Sequence, residues 1–210
     1  METADYSSLP KNIFLDVYEP AEDTFIMIDA LEKDLDFINK LRPSICLEVG
    51  SGSGVISATI AKALGPICYL CTDINPVAVH ATKILTQSND VSVDVIQTNL
   101  VEAFGTRLKN AVDVLIFNPP YVPSPSEEMN VDNLSLATCG GSKGREVMDR
   151  FFPYVSKLIS ENGVFYLTCI SQNNIEDIQK HSSLHKLQMC IVLDRKCGME
   201  HLFVLRFTST

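Results

Sequence analysis

Apolar positions along the chain recur in two rhythms. Phe25, Ile28, Leu31, Leu35 and Ile38 fall at helical spacing after Glu19-Pro20-Ala21-Glu22-Asp23-Thr24, whose proline and acids suit a first helical turn. Pro43 ends that element. A short apolar run over 45–49 stops at Gly50-Ser51-Gly52-Ser53-Gly54, and helical spacing resumes from Val55 to Leu64 before Gly65-Pro66. Further strands are expected over 67–72, 91–97, 112–117, 164–169, 189–193 and 202–207. Further helices are expected from Asn75-Pro76 to about 87, over 145–159, and from 174 to about 181. Residues 122–144 carry Pro, Ser, Asn and Gly and read as a long loop, a feature that is usually functional or disordered in a compact domain. Residues 1–18 are polar and mixed and read as a loose arm. Strands alternating with helices predict an α/β fold: one domain over 19–210, with a mostly parallel sheet and helices on both faces.

Composition agrees with a single globular unit. The chain has 210 residues, 46% hydrophobic and 20% charged, enough for a sizeable core. Seventeen basic against 26 acidic residues leave a net charge of −9, which argues against a protein that grips nucleic acid along its whole surface. No apolar run approaches the roughly 18 residues of a membrane span. The opening Met1-Glu2-Thr3-Ala4-Asp5-Tyr6 lacks the apolar segment of a signal or transit peptide. Seven scattered cysteines, an odd number, fit reduced thiols in the cytosol or nucleus.

Candidate chemistry sits where strands end. Glu48-Val49 followed by the glycine run lies between a strand and a helix, where glycine lets backbone come close to a ligand and leaves helix N–H groups free. Its G-x-G-x-G spacing differs from the G-x-G-x-x-G of dinucleotide sites. A tight turn with no ligand is the alternative. Asp73 ends the second strand, where a carboxylate can accept both hydroxyls of a ribose or cap the next helix.

The sharpest signal is Asn118-Pro119-Pro120-Tyr121, after the fourth strand. Two prolines stiffen this turn and set where its carbonyls point. The Asn118 side-chain oxygen and the Pro119 carbonyl can both accept hydrogen bonds, which suits a planar NH2 group with two donors. Tyr121 offers a face for a planar substrate or a cation. Amide and aromatic amine nitrogens are poor nucleophiles because their lone pair is delocalised. Holding both N–H groups would localise that pair and aim it at an electrophile. A rigid Pro-Pro loop without a ligand is the plainer reading.

Taken together, the glycine run, Asp73 and Asn118-Pro119-Pro120-Tyr121 resemble the class I S-adenosylmethionine-dependent methyltransferases that act on exocyclic or amide nitrogens. Val17-Tyr18-Glu19-Pro20-Ala21-Glu22-Asp23-Thr24 and the stretch from Gly140-Gly141-Ser142-Lys143-Gly144-Arg145 to Phe152-Pro153 narrow the resemblance to the eukaryotic HemK-type branch. The resemblance implies a Rossmann-like class I fold with a seven-stranded, mostly parallel sheet. It implies methylation of the glutamine amide in the Gly-Gly-Gln loop of the class-one translation release factor, with a histone lysine as a further acceptor. It also implies a heterodimer with a small zinc-binding activator protein, in cytoplasm and also nucleus. Matched by motif, Thr24, Glu48, Gly50, Gly52, Asp73, Ile74, Asn99, Leu100 and Asn118 are expected at S-adenosylmethionine. Asn118, Pro119 and Tyr121 are expected in catalysis, and Asn118, Pro120 and Tyr121 at the substrate; no metal is expected. The family usually has Thr-Asp-Leu after the third strand, its Asp accepting from the adenine amino group. Here Thr98-Asn99-Leu100 keeps an acceptor oxygen without the charge. About 44 residues precede the first strand, so the N-terminal docking domain of bacterial members is expected to be missing.

Two rival readings remain from the residues themselves. A DNA adenine methyltransferase would use the same turn, and the acidic balance argues against it. A non-catalytic scaffold would not need an intact Asn118 turn. Cys68-Tyr69-Leu70-Cys71 resembles a metal or redox motif, but residues three apart on a strand face opposite sides of the sheet. His80, His181, His185 and His201 have no metal-ligand spacing. Lys143 and Arg145 either steer an acidic substrate or belong to a solvated loop.

Overall fold

The structure is a computed structural model that describes residues 1–128 and 131–210. Strand β1 (Ile45–Val49) lies between β2 (Cys68–Asp73) and β4 (Val112–Phe117), parallel to both. β3 (Asp94–Gln97) pairs in parallel with β2, and β5 (Ile159–Ile170) with β4. β7 (Glu200–Ser209) enters antiparallel between β5 and β6 (Leu187–Cys197), giving the order β3-β2-β1-β4-β5-β7-β6. This is the expected seven-stranded, mostly parallel sheet. The near-continuous apolar runs of β1 and β4 follow from burial on both faces. Helix α1 (Glu22–Lys33) packs on α3 (Val55–Leu64), and α3 on α4 (Pro76–Ser88); α6 (Glu146–Leu158) covers β5 and α7 (Ile175–Leu184) covers β6. The chain reverses direction across the sheet between β1 and β4. Ligands of open α/β sheets bind at the carboxyl ends of strands flanking such a point.

Several elements depart from expectation for identifiable reasons. The helix expected from residue 19 onward breaks at Asp34, giving α1 and α2 (Leu35–Leu41). Asp34 Oδ2 accepts bonds from Tyr166 (3.0 Å) and Arg206 (2.7 Å), so two strands of the sheet recruit that side chain. β3 is four residues long, not seven: the Val91 N–H donates to the Thr86 carbonyl at the end of α4, and 91–93 become a connection. Residues 1–18 are anchored and not loose. Ala4, Leu9, Ile13 and Val17 join the core, and the Ala4 N–H donates to Thr59 Oγ1 at 3.0 Å. The expected loop at 122–144 contains α5 (Asn133–Thr138), capped by Asp132; positions 129–130 of it lie outside the described residues.

Candidate active site

A cavity of about 300 Å³ opens at the carboxyl ends of β1, β2 and β4. Its walls gather Thr24, Glu48, Gly50, Gly52, Asp73, Ile74, Asn99, Leu100, Asn118, Pro119 and Pro120, residues scattered over nearly 100 positions of sequence. The glycine run forms the floor. Gly50, Gly52 and Gly54 all have positive φ, and a Cβ at Gly54 would lie 2.8 Å from the Thr82 side chain, so a larger residue there is excluded twice over. The donors of this turn are spent inside the protein. The N–H groups of Gly50 and Ser51 donate to the Thr72 carbonyl (2.7 and 3.0 Å), and that of Gly52 donates to Asp73 Oδ2 (2.9 Å). The Ser57 N–H, at the third position of α3, donates to Glu48 Oε2 at 3.1 Å. The expectation of free helix N–H groups is thus corrected. Two carboxylates stand where a pyrophosphate would need donors, and a dinucleotide does not fit.

Those carboxylates suit a different ligand. Asp73 Oδ1 accepts from the Asn75 N–H and Oδ2 from Gly52, each at 2.9 Å. One lone pair on each oxygen stays available to a pair of vicinal hydroxyls. Burial raises the Asp73 carboxyl above its ordinary value against these N–H groups. Glu48 is 1% exposed, and burial pushes its carboxyl up to about 8, partly offset by bonds from the Ser57 hydroxyl and N–H. Ile74, half-exposed at the rim, and Leu100 offer apolar surface for a flat ring. Asn99 Nδ2 donates to Glu102 Oε1 at 2.8 Å, which turns Oδ1, its acceptor, away from that partner. Hydroxyl acceptors, an anionic wall and apolar surface near an amide acceptor fit S-adenosylmethionine, a cationic nucleoside.

The Glu48 environment has a thermodynamic consequence. An unfolded glutamate ionises near 4.5, so between about pH 4.5 and 8 the folded protein keeps a proton that the unfolded chain gives up. Stability of the ligand-free protein therefore falls as pH rises through that window. Thermal unfolding followed between about pH 5 and 8 should show a falling midpoint in the parent and a flatter dependence in Glu48→Gln. Identical slopes in the two proteins would remove Glu48 as the source.

At the other wall, Asn118 Nδ2 donates to Asp23 Oδ2 at 2.8 Å. A carboxylate only accepts, so Asp23 fixes which way the amide points. Asn118 Oδ1 is left buried and without a partner. Such an orphaned acceptor is costly unless a ligand uses it. Tyr18 donates its hydroxyl to the second Asp23 oxygen at 3.1 Å. Phe117, just before the turn, is held edge-on by Phe151, with ring centroids 5.0 Å apart. Asp23 and Tyr18 were not singled out from sequence. The only signal was the Tyr18-Glu19-Pro20-Ala21-Glu22-Asp23-Thr24 stretch, whose acids read as a helix start. The cavity-lining Asn133, Leu136 and Ala137 of α5 were missed as well, because a six-residue helix leaves little periodicity.

Two expected roles are corrected. Tyr121 does not line this cavity; its side chain is buried and faces a second, more open cleft beside Asp23 and the β6–β7 turn. It is therefore not a stacking face for a substrate in the first cavity. Arg145 does not steer a ligand: it is 4% exposed and paired with Asp149 (2.8 Å) and Asp177 (2.7 Å), so its charge is spent internally. Lys143 remains exposed. Cys68 is exposed and Cys71 buried, as strand alternation requires, and no cluster of His, Cys, Asp and Glu among the described residues could hold a metal.

Comparison with known proteins agrees with this geometry. Residues 24–137 match the family described as "Methyltransferase small domain". Methyltransferase HEMK2 of Mus musculus is 47% identical, over 98% of this chain and 95% of its own. The eRF1 methyltransferase catalytic subunit mtq2 of Schizosaccharomyces pombe is 34% identical, over 98% of this chain and 95% of its own. Among solved structures, the E. cuniculi Mtq2-Trm112 complex, described as responsible for methylation of the eRF1 translation termination factor, superposes with a TM-score of 0.71. It is 27% identical and covers 93% of this chain and 99% of that chain. Sheet order, glycine floor and acceptor turn define a methyltransferase domain. The chain belongs to the methyltransferase small-domain family, on the branch that includes HEMK2.

Proposed function

We propose that the protein transfers a methyl group from S-adenosylmethionine to the side-chain amide nitrogen of the glutamine in the Gly-Gly-Gln motif of the class-one translation release factor. The observation that carries this reading is the buried, unpartnered Asn118 Oδ1, on a residue that lines the cavity and whose amide Asp23 orients. A primary amide offers two N–H donors. Asn118 Oδ1 would take one, and the carbonyl of Pro119, a residue of the same wall, the other. Held this way, the nitrogen lone pair would be turned away from its carbonyl and could form the N–C bond as the methyl–sulfur bond breaks with its electron pair left on sulfur, the displaced N–H proton passing to solvent. The cofactor supplies an electrophilic methyl on a sulfonium, so the chain's task is orientation and exclusion of water. The fission-yeast relative and the E. cuniculi complex, both named for eRF1 methylation, support the choice of acceptor.

Charge argues against the DNA alternative. Among the described lining residues, Asp16, Asp23 and Asp73, beside a Glu48 that keeps its proton up to about pH 8, stand with a single cation, Arg150, a poor wall for polyphosphate. Seven free thiols support a reducing compartment, cytosol or nucleus. The purified protein, with its partner, should be offered release factor, a histone-tail peptide and an adenine-containing duplex side by side. Mass spectrometry should place one methyl on the Gly-Gly-Gln glutamine. Transfer to the histone lysine or to DNA without transfer to release factor would overturn the assignment.

A small activator is the proposed partner, supported by the Mtq2-Trm112 complex of the E. cuniculi relative and by the sheet's edges; that it binds zinc is what the family resemblance implies. β6 is protected: Lys33 Nζ donates to the Val192 carbonyl at 2.8 Å, and the strand is bulged between Ile191 and Leu193. β3 has neither device and pairs only with β2. We place the partner's strand there. Val95 is the residue to probe, because Val93 packs on the core while Val95 does not. Val95→Lys should weaken co-purification of the pair while S-adenosylmethionine affinity of the surviving complex is unchanged. Normal pairing in that variant would refute the placement.

A further inference from the structure

The turn 118–121 has a mechanical weakness. Neither Pro119 nor Pro120 carries an N–H, so the turn cannot anchor itself by its own central donors. Something outside must hold its carbonyls. Asn173, fully buried just beyond β5, does this. Its Nδ2 donates to the Tyr121 carbonyl at 2.8 Å and to the Lys143 carbonyl at 2.9 Å, while its Oδ1 accepts from the Ile170 N–H at 2.8 Å. Gly144 closes against the same point. Its φ is +66°, and a Cβ there would fall 1.9 Å from the Tyr121 oxygen. The Asn173 carbonyl in turn accepts from Arg145 Nη1 at 3.4 Å, and Arg145 is clamped between Asp149 on α6 and Asp177 on α7.

We propose that Asn173 is a positioning residue for methyl transfer: its side-chain amide holds the Tyr121 carbonyl and so sets where Asn118 and Pro119 present their acceptors. The buried Arg145 ion pairs tie the 140–145 segment to α6 and α7, which lets it serve as the other jaw. Misplacing a reacting group by about 1 Å costs on the order of a hundredfold in rate. The proposal rests on the acceptor role of the 118–121 turn.

Two variants separate positioning from mere support of the turn at 171–173. Asn173→Asp keeps an acceptor for the Ile170 N–H but loses the donors to Tyr121 and Lys143; Asn173→Ser loses the reach of both. Each should lower single-turnover kcat by roughly tenfold to a hundredfold, with the S-adenosylmethionine Kd within twofold of the parent. Crystal structures of the variants should show the 118–121 turn displaced. If Asn173→Asp is less stable yet its folded fraction keeps the parent kcat and turn position, the residue only supports the fold and the proposal fails. If the parent does not methylate release factor, the acceptor assignment fails, and the displacement of the turn still decides the role of Asn173. Should neither variant fold, the Asn173 side-chain amide resonances of the parent are followed instead. They should be shielded from exchange and should shift when acceptor peptide binds; a lack of shift overturns the coupling.

Discussion

Asn118→Ala should abolish most methyl transfer while leaving the fold and cofactor affinity intact. The side chain sits on a turn whose backbone is held from outside by the Asn173 amide at the Tyr121 carbonyl and by Phe117 packed edge-on against Phe151. Its removal therefore leaves the frame standing. What is lost is one preorganised acceptor, the buried Oδ1 with no partner inside the protein. Deleting a group of this kind costs about a hundredfold or more in kcat. The measurement is single-turnover transfer to release factor beside calorimetric titration with S-adenosylmethionine. A rate within threefold of the parent would mean that this oxygen does not hold the acceptor nitrogen, and the account of the site would fall.

Asp23→Asn should lower kcat by roughly tenfold or more, through Asn118 and not through the fold. The native carboxylate accepts from Asn118 Nδ2 and from the Tyr18 hydroxyl, at 2.8 and 3.1 Å. Because it cannot donate, the Asn118 amide has one permitted orientation. An asparagine at 23 accepts or donates with equal ease, so the amide at 118 can flip and present NH2 groups to a substrate that brings only donors. The negative charge behind the site also disappears, just where positive charge arrives on the acceptor nitrogen. Since both residues act as one unit, the double variant with Asn118→Ala should be little worse than Asn118→Ala alone. Additive losses in that cycle would show that Asp23 acts elsewhere.

Much of this molecule is written locally in the chain. Ile45–Val49 and Val112–Phe117 were legible as buried strands because apolar runs bounded by glycine or proline have few other solutions. The glycine floor, Asp73 and the 118–121 turn were legible for the same reason: turn chemistry depends on residue type over three or four positions. All of the cofactor positions expected from motif do line one cavity. The number of strands was what the family resemblance implied, and the insertion of β7 antiparallel between β5 and β6 came only with the fold.

Tertiary structure decided what joins segments far apart. Asp23 meets Asn118 across 95 positions, and Asn173 meets Tyr121 across 52. Neither bond leaves a trace in periodicity, which reports only on neighbours within a turn or two. Tyr121, read as a substrate face, lines the second cleft instead, where its side chain meets Asp23 from another element. Arg145, read as a surface cation, is drawn inward by two aspartates on different helices. The N-terminal segment looked too polar to pack, yet four apolar side chains spaced four or five residues apart reach the core once its backbone is tied to Thr59 and Asn89. The sequence by itself determined the sheet and the chemistry at its strand ends. Which side chains hold that chemistry still was decided only when burial removed water as a competitor and forced each polar group to find a partner in the fold.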